Sequence, residues 1–455
     1  MAPSPASSVL DLIGNTPLLR VGRIDTGPCE LFLKLESQNP GGSIKDRVAL
    51  AMIREAEREG RLGPGGTLVE ATAGNTGLGL ALVGRARGYR VLLAVPDKMA
   101  EEKLVQLRAQ GAEIRLTRSD VGKDHPEYYQ NVAARLASAI PGAVYTDQFT
   151  NPANPKAHEA TTGPEILAQM GNDVDAVVCG VGSGGTLAGL TRCFRKQGCD
   201  VEMILADPEG SVLAPWLQEG TLGEAGSWAV EGIGEDYLPP LADFTAVRGA
   251  YAISDRESFQ AARLLLEAEG ILAGSSTGTL LAAALKYCRG QKAPRRVVTF
   301  VCDTGARYLS KVFNPAWTRR RGWEDEPRFG DLRDWAARRF EDGSAPSVGP
   351  EDPSLSALKR MEAGGLSMIP VLDKSRLLGG LEARALLAGW TSDPEARTGP
   401  VRPWIQSDLP WLDSEADPEQ LRDLAIWHPM VIILHEGRPY GFVTPLDLAL
   451  SREIP

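Results

Sequence analysis

The chain has little from which a metal or redox centre could be built. Its 455 residues include four histidines and six cysteines. The cysteines (29, 179, 193, 199, 288 and 302) form no Cys-x-x-Cys pair and have no histidine nearby, so reduced structural thiols and no metal site are expected. No apolar run approaches the ~20 residues that cross a bilayer. Met1-Ala2-Pro3-Ser4-Pro5 carries neither the basic segment nor the apolar core of a signal peptide, and the expectation is a cytoplasmic protein with no membrane contact. Positive charge is also short: 49 Lys and Arg against 59 Asp and Glu leave a net −10, which argues against a nucleic-acid partner. The basic run Arg319-Arg320-Arg321 is answered by Glu324-Asp325-Glu326 and reads as a solvated linker.

What is present is ordinary globular composition at a length suited to a large two-lobed unit plus a smaller one. From about 10 to 313 the sequence alternates strand and helix. Apolar runs at 67–70, 90–95, 112–116, 175–179, 201–206 and 296–301 suit strands buried on both faces, hence an α/β fold with parallel sheets covered by helices. The composition shifts after Asn314-Pro315. We expect a first domain over 1–315, a linker of helix and loop over 316–345, and a second domain over 346–455. That last part reads as a weak repeat of two αβ units, a helix then a strand at 350–372 and again at 417–434, each followed by glycine (379–380, 441) and a further helix.

Chemistry concentrates at Pro40-Gly41-Gly42-Ser43-Ile44-Lys45-Asp46-Arg47. Ser43 and Asp46 have capping-box spacing, so a helix is expected to start there, with Lys45 in its first turn. A lysine is electrostatically disfavoured at that positive end, and the same field makes its neutral amine more accessible. A solvated surface lysine is the bland reading; the two glycines and the misplaced charge favour a site. Lysines so placed form Schiff bases with carbonyls, including pyridoxal phosphate.

Three further glycine loops lie at strand-to-helix junctions. Gly182-Ser183-Gly184-Gly185-Thr186 offers free amides at a helix start, a cup for a phosphate dianion. A dinucleotide fingerprint fails there because Leu187 stands at the third glycine position, and a structural turn remains open. Thr72-Ala73-Gly74-Asn75-Thr76-Gly77 can hold a carboxylate or phenolic oxygen, or Asn75 or Thr76 can simply cap a helix. Gly274-Ser275-Ser276-Thr277-Gly278 is of the same kind. Lys45 and these loops, all at the carboxyl ends of parallel strands, point to one crevice.

Gly41–Arg47, Gly74–Gly77, Asp147-Gln148-Phe149 with Asn154-Pro155, Gly182–Thr186, Asp207–Ser211 and Glu231–Gly234 occur in one order along the chain. In that order they resemble the cystathionine β-synthase and cysteine synthase family, fold-type II enzymes that use pyridoxal phosphate. The resemblance runs from about Leu10 to Phe313. It implies that Lys45 holds the cofactor as a Schiff base, Asn75 meets its 3′ oxygen, Gly182, Ser183, Gly184, Gly185 and Thr186 bind its phosphate, and Ser276 faces the pyridine nitrogen. Thr72, Ala73, Gly74 and Thr76, with Gln148, would hold the substrate carboxylate. A hydroxyl at the ring nitrogen does not enforce a pyridinium, which favours prompt β-elimination. Lys45 would then act as general base and acid.

The C-terminal repeat resembles tandem CBS motifs, the Bateman module that binds adenosyl ligands such as S-adenosylmethionine or a nucleotide. Its ribose pattern Gly-x-x-Thr/Ser-x-x-Asp survives once, as Gly441, Thr444 and Asp447; counted from Gly379, Glu382 and Ala385 break it. At most one such site is expected, at Thr444 and Asp447, and a module serving only as a dimer contact stays open. The residues before Leu10 are too few for the haem segment of the family's animal members, so no haem is expected. Phe149 and Glu235 stand where those members have tyrosines, and Ala73 where the carboxylate loop usually has serine. The resemblance implies a homo-oligomer acting on small amino-acid and thiol substrates. The expected reaction joins serine, or O-acetylserine, to homocysteine. The alternatives are cysteine synthase, a hydroxyamino-acid dehydratase, or a non-catalytic adenosyl-ligand sensor.

Overall fold

The computed structural model describes residues 5–72, 74–97, 99, 101–122, 124–323 and 328–450. The chain divides into two compact units between Val312 and Phe313.

Among the described residues the first unit contains ten strands: β1 (Leu18–Arg20), β2 (Glu30–Lys34), β3 (Thr67–Ala71), β4 (Arg90–Pro96), β5 (Glu113–Thr117), β6 (Ala143–Tyr145), β7 (Ala176–Cys179), β8 (Glu202–Pro208), β9 (Val247–Ile253) and β10 (Arg296–Phe300). They form a six-stranded sheet, β1-β2-β10-β7-β8-β9, and a four-stranded sheet, β5-β4-β3-β6. Every neighbouring pair is parallel except β1 with β2. The apolar runs explain this: Val177, Val178, Met203, Leu205, Val297 and Val298 are fully buried, as strands covered by helices on both faces require. The segments that follow β3, β6, β7 and β10 are joined by side-chain hydrogen bonds. This is the α/β architecture expected, with Glu101–Ala109, Asn75–Ala86 and Gly185–Lys196 among the covering helices.

One start signal is corrected. The helix expected from Ser43 runs Lys45–Arg58, Ile44 is its N-cap, and no side chain caps it. Asp46 turns back instead and accepts the Gly41 N–H at 2.5 Å, while Ser43 Oγ accepts the Lys45 N–H at 3.3 Å. The tight Gly41-Gly42 turn needed that carboxylate more than the helix did.

The second unit contains β11 (Arg338–Arg339), β12 (Met368–Asp373), β13 (Arg376–Glu382), β14 (Trp411–Asp413), β15 (Val431–His435) and β16 (Arg438–Val443). Its sheets are β12-β13 and β11-β16-β15-β14. The repeat is fuller than two αβ pairs. Val348 bridges Val371 in parallel, the Ser354–Gly364 helix follows, then the β12-β13 hairpin and the Ala383–Ser392 helix. In the second copy β14 pairs with β15 in parallel, around the Pro418–Trp427 helix, and β15-β16 and the Pro445–Leu450 helix complete it. Each copy has its own apolar core, Ile369, Val371 and Leu381 in one and Val431, Ile433 and Val443 in the other. Gly379 and Gly380, read as punctuation, lie inside β13, because a Cβ at Gly379 would run into the Gln406 carbonyl. The described residues from 328 to 345 are not a free connection: β11 pairs with β16, and Leu332 and Ala336 are buried in the second copy's core.

Candidate active site

Lys45 opens its helix half-buried, and loss of water pushes its ammonium below the usual lysine range; Cys302 and Asp303 pull the other way. Those two residues follow β10. Ser43 bridges Asp303, and the Ile44 N–H donates to the Cys302 carbonyl at 2.9 Å, so the start of the Lys45 helix is fastened to the end of β10.

Asn75 Nδ2 donates to Asp303 Oδ2 at 2.8 Å, and Tyr308 Oη donates to the same oxygen at 2.8 Å. The Arg307 guanidinium donates to Asn75 Oδ1 and to the Gly41 carbonyl. Asp303 is buried, which raises its pKa. Asn75 and Thr76 do not cap their helix; Gly74 occupies the N-cap. Thr76 Oγ1 instead donates to Gln148 Oε1 at 2.6 Å, and Thr72 Oγ1 accepts the Gly74 N–H at 3.1 Å. Ala73 lies outside the described residues. The loop and Gln148 are joined by the Thr76 bond, and Thr72 and Gly74 by theirs.

The loop Gly182–Thr186 joins β7 to the Gly185–Lys196 helix. Gly184, at φ +83°, is its N-cap and brings no side chain. Cβ atoms at Gly184 and Gly185 would collide with Ala242 and with the Asn154 amide, so glycine is required at both for the turn to close. Asn154 Nδ2 donates to the Gln148 carbonyl at 2.8 Å and to Ser183 Oγ at 2.9 Å, tying the two loops together. Beneath them Thr186 Oγ1 lies 3.3 Å from His158 Nε2. That histidine is buried and held well below the usual imidazole range by desolvation, then by Lys45 and Arg47, so it is neutral. Ser276 is buried in the first turn of the Ser275–Arg289 helix, beside Cys302, whose thiol is pushed up to about 12 by burial.

A second group escaped sequence reasoning. Lys103 and Lys311 both pair with Glu231, the latter at 2.8 Å, and the Glu231 N–H donates to Ser275 Oγ at 3.1 Å. Burial, and then Lys311, hold the Lys103 ammonium at about 8, and Asp303 and Arg307 are within its electrostatic reach. Asp303, Arg307 and Tyr308 follow β10 in Asp-Thr-Gly-Ala-Arg-Tyr, a glycine-bearing junction like the others. Its position could have been found from that pattern; Lys103 and Lys311, in unremarkable charged stretches, could not.

In the second unit Thr444 and Asp447 are together but turned on each other. Asp447 Oδ2 accepts the Thr444 N–H at 2.9 Å and its hydroxyl at 2.7 Å, and Thr444 Oγ1 accepts the Asp447 N–H at 3.2 Å. Arg320 Nε lies 2.5 Å from Asp447 Oδ1, and Arg338 Nη1 lies 3.8 Å from Oδ2.

The part of the chain that carries Lys45 and the glycine loops matches the profile of the pyridoxal-phosphate dependent enzymes over residues 9–303, and the chain belongs to that family. Within it, the chain is similar to cystathionine β-synthase of Oryctolagus cuniculus, 40% identical over 337 residues. That match covers 73% of this chain and 61% of the rabbit protein, so the chain spans less than two thirds of that relative's length. It is also similar to cysteine synthase 1 of Emericella nidulans, 41% identical over 325 residues, 70% of this chain and 87% of that one. A solved hydrogen sulfide-producing enzyme from Fusobacterium nucleatum is 36% identical, with a TM-score of 0.62 over 68% of this chain and 99% of that one. The mixed α/β fold with covered parallel sheets is the one these neighbours share.

The residues present fit pyridoxal phosphate. The cup at Gly182–Thr186 is closed by two glycines that no other residue could replace without collision, and a desolvated lysine lies within electrostatic reach of the buried Asp303 and of Cys302, whose thiol meets the buried Ser276.

Proposed function

We propose that the protein is a pyridoxal-phosphate β-replacement enzyme that joins serine, or an activated serine such as O-acetylserine, to homocysteine, forming cystathionine. The observation that carries the choice of acceptor is the Lys103–Glu231–Lys311 group beside Ser275 and Asp303. Homocysteine is a zwitterion, and two lysines with one glutamate match its carboxylate and ammonium; sulfide needs neither.

Lys45 would hold the cofactor, the Gly182–Thr186 amides its phosphate, Asn75 its phenolic oxygen and Ser276 its ring nitrogen. When bound, the cofactor supplies an electron sink for the amino-acid α-carbon. The chain's own residues do the rest. Thr72, Gly74, Thr76 and Gln148 fix the donor carboxylate. Released as the neutral amine that desolvation favours, Lys45 Nζ takes the α-proton and returns one to the departing hydroxyl or acetate. The neutral His158 holds Thr186 without adding charge beneath the phosphate.

The second unit is proposed as a regulatory pair of CBS motifs, which its doubled β-α-β-β-α order supports, with Thr444 and Asp447 as its adenosyl site. A homo-oligomer in the cytoplasm completes the reading; among the described residues no helix is long and apolar enough to cross a membrane.

The test pairs serine and O-acetylserine, each with homocysteine and with sulfide, using protein reconstituted with pyridoxal phosphate. Cystathionine as the main product supports the proposal. Cysteine from O-acetylserine and sulfide, with little cystathionine, makes the protein a cysteine synthase, and keto acid formed without any thiol makes it a dehydratase.

A further inference from the structure

Between β6 and the Ala153–Ala157 helix one residue takes the left-handed region of the backbone. Asp147 sits at φ +42°, a conformation side chains other than Gly, Asn and Asp seldom adopt. Its neighbours on both sides are gripped by one buried carboxylate. Glu70 Oε2 accepts the Thr146 hydroxyl at 2.7 Å and the Gln148 N–H at 3.1 Å, and Oε1 accepts the Ala71 N–H at 2.8 Å. Glu70 is fully buried at the end of β3, two residues before Thr72, so this carboxylate joins the two segments that meet at Thr76 and Gln148. From Gln148 the chain of bonds continues through Asn154 to Ser183 in the phosphate loop.

We propose that Glu70 is a positioning residue for the donor amino acid: as a carboxylate it sets Gln148 and the Thr72–Thr76 loop for the donor's own carboxylate, and on protonation it lets Gln148 go. The inference rests on those residues being the donor site. An ionised carboxylate only accepts, so the three donors it takes are all oriented one way. A protonated one carries a hydrogen that must displace a donor, and the Gln148 N–H is the longest of the three. The titratable groups facing Glu70 are Asp147 and Tyr145; burial, with Asp147 adding to it, raises Glu70 to about 7. The carboxylate form therefore takes over as pH rises through about 7.

The test measures binding of L-alanine, a donor-like amino acid with no leaving group, by the change it makes in the absorbance of bound pyridoxal phosphate, from pH 5.5 to 8.5. The ligand's amine titrates alike in every protein, so the quantity read is the ratio of wild-type to variant affinity. For Glu70→Gln we expect cofactor content unchanged, alanine binding about tenfold weaker above neutrality, and a gap that closes below it. In turnover the donor KM rises while kcat moves less. Thr146→Val keeps the carboxylate but removes one donor to it, and should shift the midpoint of the wild-type transition upward. A wild-type to Glu70→Gln ratio near one at all pH values overturns the proposal, as does an unshifted midpoint in Thr146→Val should Glu70→Gln fail to fold. Absence of alanine binding to the wild type would instead overturn the donor-site reading itself.

Discussion

Thr444–Asp447 and Ser43–Asp46 share the spacing Ser/Thr-x-x-Asp at the start of a helix, and they use it in opposite ways. Thr444 and Asp447 close a full capping box: each side chain satisfies the other's backbone. Ser43 and Asp46 do not, because Asp46 holds Gly41 and leaves the helix of Lys45 without a side-chain cap. The helices that begin at Asn75, Gly185 and Ser275 are likewise uncapped by side chains. Helix starts left open offer amides to a ligand; a closed one has already used them. The proposed cofactor site is thus built around open helix starts. In the second unit, the two residues expected to bind a ribose are occupied with each other, with Arg320 and with Arg338.

The sharpest test of the open side is Lys45→Ala. Product formation should fall by about 10³-fold or more, since on the proposed reading one residue both holds the cofactor and moves the proton. Gly185→Ala puts a methyl group into the Asn154 amide. Overpacking of that size should weaken pyridoxal-phosphate binding by about 10–100-fold, measured by titrating the cofactor into the apoprotein. Lys103→Ala should raise the homocysteine KM by about tenfold and leave the serine KM unchanged. The wild-type homocysteine KM should itself rise as pH passes about 8, because a lysine lowered to that value is charged below it and neutral above. The smallest effect belongs to the closed side. Thr444→Val opens the capping box and should cost the second unit about 0.5–2 kcal/mol, read by thermal unfolding, with no change in catalytic rate.

The comparison also explains what could be read in advance. Buried parallel strands announce themselves as continuous apolar runs, so β3, β4, β7, β8 and β10 were legible. β9 at one sheet edge, with Arg248, Gly249 and half-exposed positions, and β2, inside the sheet but ending in the buried Lys34 that pairs with Glu165, carry no such run and were not expected, whereas β5, also an edge strand, was expected over 112–116. Glycine loops at strand ends gave the proposed cofactor side of the site, because glycine there answers a local steric demand. Lys103, Lys311, Glu70 and His158 answer demands set by residues far along the chain, and no spacing records that. The capping box failed as a signal at Ser43 for the same reason: the competing partner, Gly41, is recognisable only once the turn is built.

The pairing of β10 has a consequence for biosynthesis. It lies between β2 and β7, with Leu31 beside Val297 and Val297 beside Ala176. A growing chain carries β2 and Lys45 out of the ribosome early and must keep them waiting until residues near 300 emerge. Only then does the sheet close and Lys45 gain Cys302 and Asp303 as neighbours. Nascent chains halted before Arg296 should therefore take up no cofactor, which makes pyridoxal-phosphate capture a signal that the first unit has been made to its end.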